Sequence, residues 1–180
     1  MGIRHARRDL LGLAAAVATG FVAAPAIALP RGPGRRALAF HNLRTGESLD
    51  LVYWAGGSYL PEARQRIDYL LRDFRTDTVH PIDPNLLDLL SALRQRLRSN
   101  APFLVLSGYR SPETNRMLQA TTEGVATNSL HLEGQAVDIR VPDRALTSLH
   151  TAALGLKAGG VGYYPKSDFV HVDVGPVRRW

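Results

Sequence analysis

The sequence contains no cysteine. Disulfide bonds and thiolate metal ligands are therefore excluded, so the chain must be held together by its hydrophobic core. Any metal ion would have to be bound by histidine and carboxylate side chains. Internal repeats and low-complexity tracts are also absent beyond Ala28. With 180 residues, of which 45% are hydrophobic and 21% charged, the composition fits one ordinary globular domain.

The long apolar run of the chain lies at the N-terminus, where it begins at Leu10 just after Arg7 and Arg8. It closes on Ala26-Ile27-Ala28, an A-x-A cleavage pattern, and it is short and rich in alanine and glycine. These features favour a cleaved export signal over a membrane anchor. The adjacent arginines resemble a twin-arginine signal, although a general secretory signal also fits. We therefore predict a signal peptide over residues 1–28, a periplasmic or extracytoplasmic location and no stable membrane anchor after cleavage.

Aromatic residues make up only 7% of the chain and do not alternate with the basic ones. A net charge of +6 and a pI of about 10.2 would suit a nucleic-acid partner, but the arginines are scattered, and export would separate the protein from DNA. We interpret the charge as a source of solubility and of attraction to an anionic cell wall. We expect no nucleic-acid partner, and we expect a monomer.

The pattern of the remaining chain predicts an α+β fold. Residues 29–36, rich in proline, glycine and arginine, predict a flexible leader before a single domain over residues 37–180. The expected elements are, in order, a hairpin formed by RALAFHNL and SLDLVYWAGG, a helix from Pro61 to about Arg75, a helix capped by Asp83, a strand over 102–109, a helix capped by Ser111, the strand AVDIRVP, a helix over 143–156, and the strands GVGYYP and FVHVDVG. An irregular stretch over 121–135 is long enough to predict a functional loop. We expect a central, mostly antiparallel sheet flanked by helices.

Two of these strands carry polar side chains on one face. The period of two places Asp138 opposite the aliphatic side chains of its strand, and places His171 and Asp173 opposite the valines of theirs. Adjacent strands lie about 4.8 Å apart, so Asp138 and His171 can reach a common point if their strands are neighbours. His131 precedes Asp138 in the chain, and Gly134 between them allows the backbone to turn back over the same face.

Two imidazoles and one carboxylate would give three protein ligands and leave a fourth position open, which is the coordination of a catalytic zinc ion. The alternative is a hydrogen-bonded His–Asp pair or a solvated polar face, and spacing alone favours that alternative. His41, His80 and His150 have no such pattern around them.

The segment SLHLEGQAVDI matches the S-x-H-x-x-G-x-A-x-D signature of the zinc peptidases that include vancomycin-resistance D-alanyl-D-alanine dipeptidases, D,D-carboxypeptidases and phage L-alanyl-D-glutamate endolysins. The wider run from LSGYRSPETNRML to GGVGYYPKSDFVHVDVGPVRRW resembles the YcbK-like (MepK-like) murein endopeptidases of that superfamily, over about residues 37–180. The resemblance implies that His131, Asp138 and His171 bind one Zn2+ ion on the sheet face.

The resemblance also implies roles for Arg110 and Asp168, and the position of Asp173 beside His171 on the same strand face makes it a third candidate. Arg110, which follows the S-G-Y motif, is expected to hold the scissile carbonyl or a substrate carboxylate, and its alternative is a plain salt bridge. Asp168, three residues before His171, is the favoured general base. Asp173 is the alternative base, or else it orients a ligand imidazole.

The function expected from the resemblance is that of an exported zinc metallopeptidase that hydrolyses amide bonds in peptidoglycan peptides, with cross-links as the favoured target. The alternatives are a D,D- or L,D-carboxypeptidase that trims stem peptides, and a non-catalytic wall-binding module. The bond that is cut would depend on a pocket built by the 121–135 loop and the GVGYYP strand. The candidate pocket residues are Ser129, Tyr163 and Tyr164.

Overall fold

The computed structural model of the protein describes residues 34–122 and 126–180. The predicted signal peptide and most of the predicted leader lie outside these residues. The first strand, however, begins at Arg35, where Arg35 and Arg36 lie opposite Ala55 and Trp54 of the next strand. The last two residues of the predicted leader therefore belong to the sheet.

The described residues form four α-helices and one eight-stranded sheet. The elements are β1 (Arg35–Asn42), β2 (Ser48–Ala55), β3 (Ser58–Tyr59), α1 (Pro61–Leu70), α2 (Pro84–Leu97), β4 (Phe103–Ser107), α3 (Pro112–Thr121), a 3-10 helix (Leu130–Glu133), β5 (Ala136–Arg140), α4 (Leu146–Leu154), β6 (Gly160–Tyr164), β7 (Phe169–Asp173) and β8 (Arg178–Arg179). The strand order is β3-β2-β1-β4-β5-β7-β6-β8. All neighbours are antiparallel except β1–β4 and β6–β8. The predicted α+β class and mostly antiparallel sheet are confirmed.

Two helices begin at the predicted caps. The Asp83 carboxylate accepts a hydrogen bond from the Asn85 amide at 2.8 Å, and the Ser111 hydroxyl accepts one from the Thr114 amide at 3.1 Å. A proline occupies the first turn of each helix, where its missing N–H costs nothing. No helix in the described part of the chain has the length and apolarity needed to span a membrane.

Two other helices are shorter than predicted because tertiary contacts hold their ends. α1 ends at Leu70 rather than near Arg75, and the next carbonyl, that of Leu71, accepts a hydrogen bond from the Tyr109 amide at 2.7 Å. α4 begins at Leu146 rather than at Asp143. The Asp143 carboxylate is bonded instead to the Ser99 hydroxyl at 2.8 Å.

The core lies between one face of the sheet and the helices α1, α2 and α4. The inward residues of the central strands are almost fully buried, as are the leucines of α2; they include Val137, Ile139, Val161, Val170, Val172, Leu86, Leu90 and Leu93. Each fully buried aliphatic side chain contributes roughly 1.5–3 kcal/mol, so this face fixes the register of β5 and β7. The alternate residues of the same two strands are thereby held on the opposite face.

Candidate metal centre

β5 and β7 are antiparallel neighbours, and Asp138 lies directly opposite His171. His131 reaches the same point from the 3-10 helix, which the sequence analysis placed within an irregular stretch. Gly134 ends that helix with φ of 64°, and a Cβ atom there would lie 2.4 Å from the Pro81 carbonyl oxygen. Only glycine fits this turn, because both the positive φ and the close backbone exclude a side chain.

The three side chains converge on one small volume. His171 Nδ1 lies 2.9 Å from Asp138 Oδ1, His131 Nε2 lies 3.3 Å from that oxygen, and the two ring nitrogens are 3.2 Å apart. All three residues are buried. Among the described residues they are the group of histidine and carboxylate side chains whose ligand atoms lie close enough to hold one metal ion.

The far side of each imidazole is occupied by an acceptor. His131 Nδ1 lies 2.7 Å from the Gly108 carbonyl oxygen, and His171 Nε2 lies 3.0 Å from Asp173 Oδ2. Because a carbonyl and a carboxylate can only accept, both of these ring nitrogens carry hydrogen. Each ring therefore turns its other nitrogen, Nε2 of His131 and Nδ1 of His171, toward Asp138 Oδ1, so that the three atoms could share one cation.

The charges of the cluster agree with that arrangement. Burial would raise the pKa of Asp138, but the facing imidazoles of His131 and His171 outweigh it and hold the pKa below its ordinary range. Burial would lower the pKa of His171, but the carboxylates of Asp138 and Asp173 outweigh it and raise the pKa. The Asp138 carboxylate is thus held as an anion between the two imidazoles.

Asp173 is fully buried and both of its oxygens are engaged. Oδ1 accepts from the Gly160 and Gly175 amides, both at 2.9 Å, and from Arg178 Nη1 at 3.1 Å. Oδ2 accepts from His171 Nε2 and, at 2.7 Å, from Arg178 Nη2. Burial would raise the pKa of Asp173, but these donors outweigh it and hold the pKa well below the usual range. The carboxylate is therefore a fixed anion that orients the His171 ring.

Arg110 lies beside the cluster, with its backbone amide donating to the His131 carbonyl at 3.0 Å. Its Nη2 is 3.9 Å from Asp138 Oδ2, and its Nη1 donates to Asn115 Oδ1 at 3.3 Å. Its Nε is buried and has no hydrogen-bond partner among the described residues. Burial lowers the pKa of the guanidinium, which nevertheless stays charged because arginine does not deprotonate in proteins. The side chain retains capacity to bind a further acceptor.

The cluster forms part of the floor of an open cleft of about 530 Å³. The cleft is lined by Arg110, Leu118, Thr122, Ala126, Asn128, Ser129, Leu130, His131, Asp138, Tyr164, Ser167, Phe169, His171, Arg178 and Trp180. It combines metal-ligand atoms with two guanidinium groups and three aromatic rings, so it is suited to a ligand that is both anionic and partly apolar.

A family model described as peptidoglycan L,D-endopeptidase MepK matches residues 31–180. The chain belongs to this family. The peptidoglycan L,D-endopeptidase MepK of Escherichia coli (strain K12) is 42% identical over 175 residues, which are 97% of this chain and 96% of the relative. The probable peptidoglycan L,D-endopeptidase MepK of Haemophilus influenzae is 42% identical over 155 residues, 86% of this chain and 83% of the relative. The family resemblance predicted from the motifs is confirmed.

In this MepK-family chain, two of the three predicted pocket residues, Ser129 and Tyr164, line the cleft. Tyr163 is not among the residues that line it. Tyr163 lies opposite Val170 on the core side of the sheet, and its ring stacks on His150 of α4 at 4.7 Å. Consecutive residues of β6 point to opposite faces, so Tyr163 and Tyr164 cannot share a pocket.

Asp168 precedes β7 in a left-handed conformation, with φ of 54°. Its side chain is 59% exposed, forms an ion pair with Arg140, and is absent from the residues that line the cleft, although its neighbours Ser167 and Phe169 line it.

Sequence reasoning missed Gly108, Arg178 and Trp180. No local pattern marks them, and their only signal was their place within the run that resembles the family.

Proposed function

We propose that this MepK-family protein is a zinc-dependent peptidase that hydrolyses amide bonds in peptidoglycan peptides, as an L,D-endopeptidase acting on cross-links. The observation that carries the proposal is the convergence of two imidazole lone pairs and one carboxylate oxygen, all within 3.3 Å, on the floor of an open cleft. The names of the relatives supply the class of bond.

The donor set fits zinc. Zinc–ligand bonds of about 2.0–2.2 Å in a tetrahedral site would place neighbouring ligand atoms about 3.3–3.6 Å apart. The three atoms here lie 2.9–3.3 Å apart, so a small outward movement of the side chains would accommodate the ion. His131, Asp138 and His171 would hold the ion, while the Gly108 carbonyl and Asp173 keep both rings in the required tautomer. When bound, the ion would supply Lewis acidity toward an amide carbonyl and a water molecule.

Arg110 is proposed to bind the negative charge that develops on the scissile carbonyl oxygen, or a carboxylate of the peptide. Its side chain lines the cleft and is held by a hydrogen bond to Asn115, while its backbone amide is bonded to the His131 carbonyl. A preorganised donor of this kind stabilises charge without having to reorient during the reaction.

Asp168 is proposed as the carboxylate that accepts the proton of the attacking water and passes it to the leaving amine. Asp173 is less suited to this role because both of its oxygens are occupied by buried donors. Asp168 is tied only at the surface, by Arg140, and an exposed ion pair is worth about 0–1 kcal/mol, so the carboxylate can swing toward the cleft at little cost.

The test is to load the mature protein with zinc, measure its metal content, digest cross-linked muropeptides and analyse the products by mass spectrometry. Cleavage within cross-links is the expected result, whereas release of a single terminal residue would indicate a carboxypeptidase. His171→Ala should lose zinc and activity while remaining folded, because the core on the other sheet face is untouched. Full activity in metal-free His171→Ala would refute zinc dependence.

We further propose that residues 1–28 direct export to the periplasm by the twin-arginine route, on the strength of Arg7-Arg8 and the A-x-A pattern. An Arg7→Lys/Arg8→Lys variant should accumulate as unprocessed precursor in the cytoplasm. Normal processing of that variant would indicate the general secretory route instead.

A further inference from the structure

Trp180 is the largest exposed ring in the cleft. The side chain is 49% exposed and its ring centroid lies 5.2 Å from that of the proposed ligand His171. Tyr164 and Phe169 stack on one another at 4.5 Å along the same side of the cleft. We call these three rings, Tyr164, Phe169 and Trp180, the aromatic wall.

The indole of Trp180 is held in place despite its exposure. Its backbone amide donates to the Val161 carbonyl at 3.2 Å, and its carbonyl accepts from the Tyr163 amide at 3.0 Å. The indole Nε1 donates to the Tyr164 hydroxyl at 2.7 Å, and the Arg178 guanidinium lies 5.0 Å from the ring centroid. A ring fixed in this way loses little conformational entropy when a ligand packs on it.

The sheet beneath the ring is shaped to receive it. Gly162 lies opposite His171 on β6, and a Cβ atom at Gly162 would be 2.7 Å from Cε2 of the indole. The absence of a side chain there lets the indole lie against the strand, next to the metal-ligand atoms. A peptide bound over those atoms would therefore lie within reach of the aromatic wall.

The charged residues of the cleft indicate the chemistry of such a ligand. Arg110 and Arg178 both line the cleft. Arg178 is paired with Asp173, whereas Arg110 lies 3.9 Å from Asp138 and donates to the neutral Asn115, so Arg110 is the guanidinium that favours an extended peptide with a free carboxylate. The carboxylate would meet the Arg110 guanidinium, and the apolar parts of the peptide would meet the indole.

We propose that Trp180 is a substrate-binding residue, and that the aromatic wall packs on an anionic peptide beside the bond that is cut. This inference rests on the proposed function, because it takes the peptide of peptidoglycan as the ligand. It predicts that Trp180 determines affinity for the peptide rather than affinity for zinc. Truncation of an aromatic side chain that anchors a ligand commonly lowers the affinity strongly, so Trp180→Ala should raise KM by roughly 30-fold.

The experiment uses zinc-loaded mature protein and purified cross-linked muropeptides as the probe. Steady-state rates give KM and kcat for the unmodified protein, for Trp180→Ala and for Trp180→Phe, and a chelator competition gives the zinc affinity of each. Tyr69→Ala is the matched control, because Tyr69 is also 49% exposed and lies outside this cleft. We expect a strongly raised KM for Trp180→Ala and an unchanged KM for Tyr69→Ala. Trp180→Phe should recover most of the affinity for the peptide, and all four proteins should bind zinc equally well.

A second measurement does not depend on turnover. The chain has two tryptophans, so a Trp54→Phe background leaves Trp180 as the single indole reporter. Titration of that protein with the uncross-linked products of the reaction should change its fluorescence until the signal saturates.

The outcomes separate the inference from the proposed function. Failure of the unmodified protein to bind or cleave muropeptides would overturn both. Normal cleavage with an unchanged KM in Trp180→Ala, or an unresponsive indole, would overturn the inference alone. A loss of zinc affinity in Trp180→Ala, with KM unchanged at saturating zinc, would show that the indole positions His171 instead, and would also overturn it.

Discussion

Replacing Asp173 by asparagine tests whether this carboxylate fixes the tautomer of His171, a proposed metal ligand. The carboxylate receives five hydrogen bonds, of which three reach Oδ1 and two reach Oδ2. Asparagine has one acceptor oxygen and one NH2 group. If the asparagine oxygen keeps the hydrogen bonds from the Gly160 and Gly175 amides, its NH2 group faces His171 Nε2 and Arg178. The NH2 group and these two partners are all hydrogen-bond donors, so no hydrogen bond can form there.

The imidazole can relieve this opposition by changing tautomer. His171 Nε2 would then accept from the new amide, and the hydrogen would move to Nδ1, the atom that faces Asp138. The lone pair needed for the metal is lost in that tautomer. Loss of a partner that orients a metal-binding histidine lowers metal affinity by about 10–100-fold, which is the effect expected for Asp173→Asn. Leaving a buried donor poorly paired should also lower the unfolding free energy by roughly 1–3 kcal/mol.

Zinc affinity from chelator competition and urea unfolding of the metal-free protein measure these two effects. Asp168→Asn is the matched control, since it makes the same chemical change at a carboxylate that is 59% exposed and bonded to Arg140. Unchanged zinc affinity in Asp173→Asn would refute the tautomer argument. A zinc-loaded but inactive Asp173→Asn, beside a normally active Asp168→Asn, would transfer the proton-accepting role to Asp173.

Three further predictions rest on other contacts in the structure. Asp168→Asn should keep its zinc and lower kcat by about 10²–10⁴-fold in single-turnover assays, whereas Arg140→Gln, which only frees Asp168, should leave kcat close to normal. Gly162→Ala should displace the Trp180 indole, shift its fluorescence and destabilise the fold by about 1–3 kcal/mol in urea unfolding, because the added Cβ overlaps the ring. Burial would raise the pKa of Asp73, but its hydrogen bonds outweigh burial and lower the pKa. One of them is donated by the backbone amide at position 111, at 2.8 Å. The ionised carboxylate therefore stabilises the fold above the unfolded pKa of about 3.9, and this stabilisation is lost as the pH falls through the lower pKa of the folded protein. Asp73→Asn should accordingly be less stable than the unmodified protein in urea at pH 7, and the difference should shrink below pH 4 or so.

The sequence determined the features that depend on near neighbours in the chain. The caps of α2 and α3 were predictable because an Asp or Ser side chain bonds an amide only two or three residues away. The placement of Asp138 and His171 on one sheet face was predictable because the side chains of a strand alternate with a period of two. The turn at Gly134 was predictable for a local reason too, since glycine adopts a positive φ without the steric cost that other residues meet.

Only the tertiary structure decided which of these residues meet. The strand order puts β7 between β5 and β6, so that Asp138 faces His171 on one side and Gly162 faces it on the other. It also brings the Gly108 carbonyl to His131 and Arg178 to Asp173.

The same packing also decided contacts that spacing does not reveal. Tyr163 proved to belong to the core side, and Asp168 is paired with Arg140, a residue 28 positions away. Each of these outcomes depends on hydrogen bonds and van der Waals contacts between segments distant in the chain. Such contacts are set by the packing of the whole sheet against its helices, and no local periodicity encodes them.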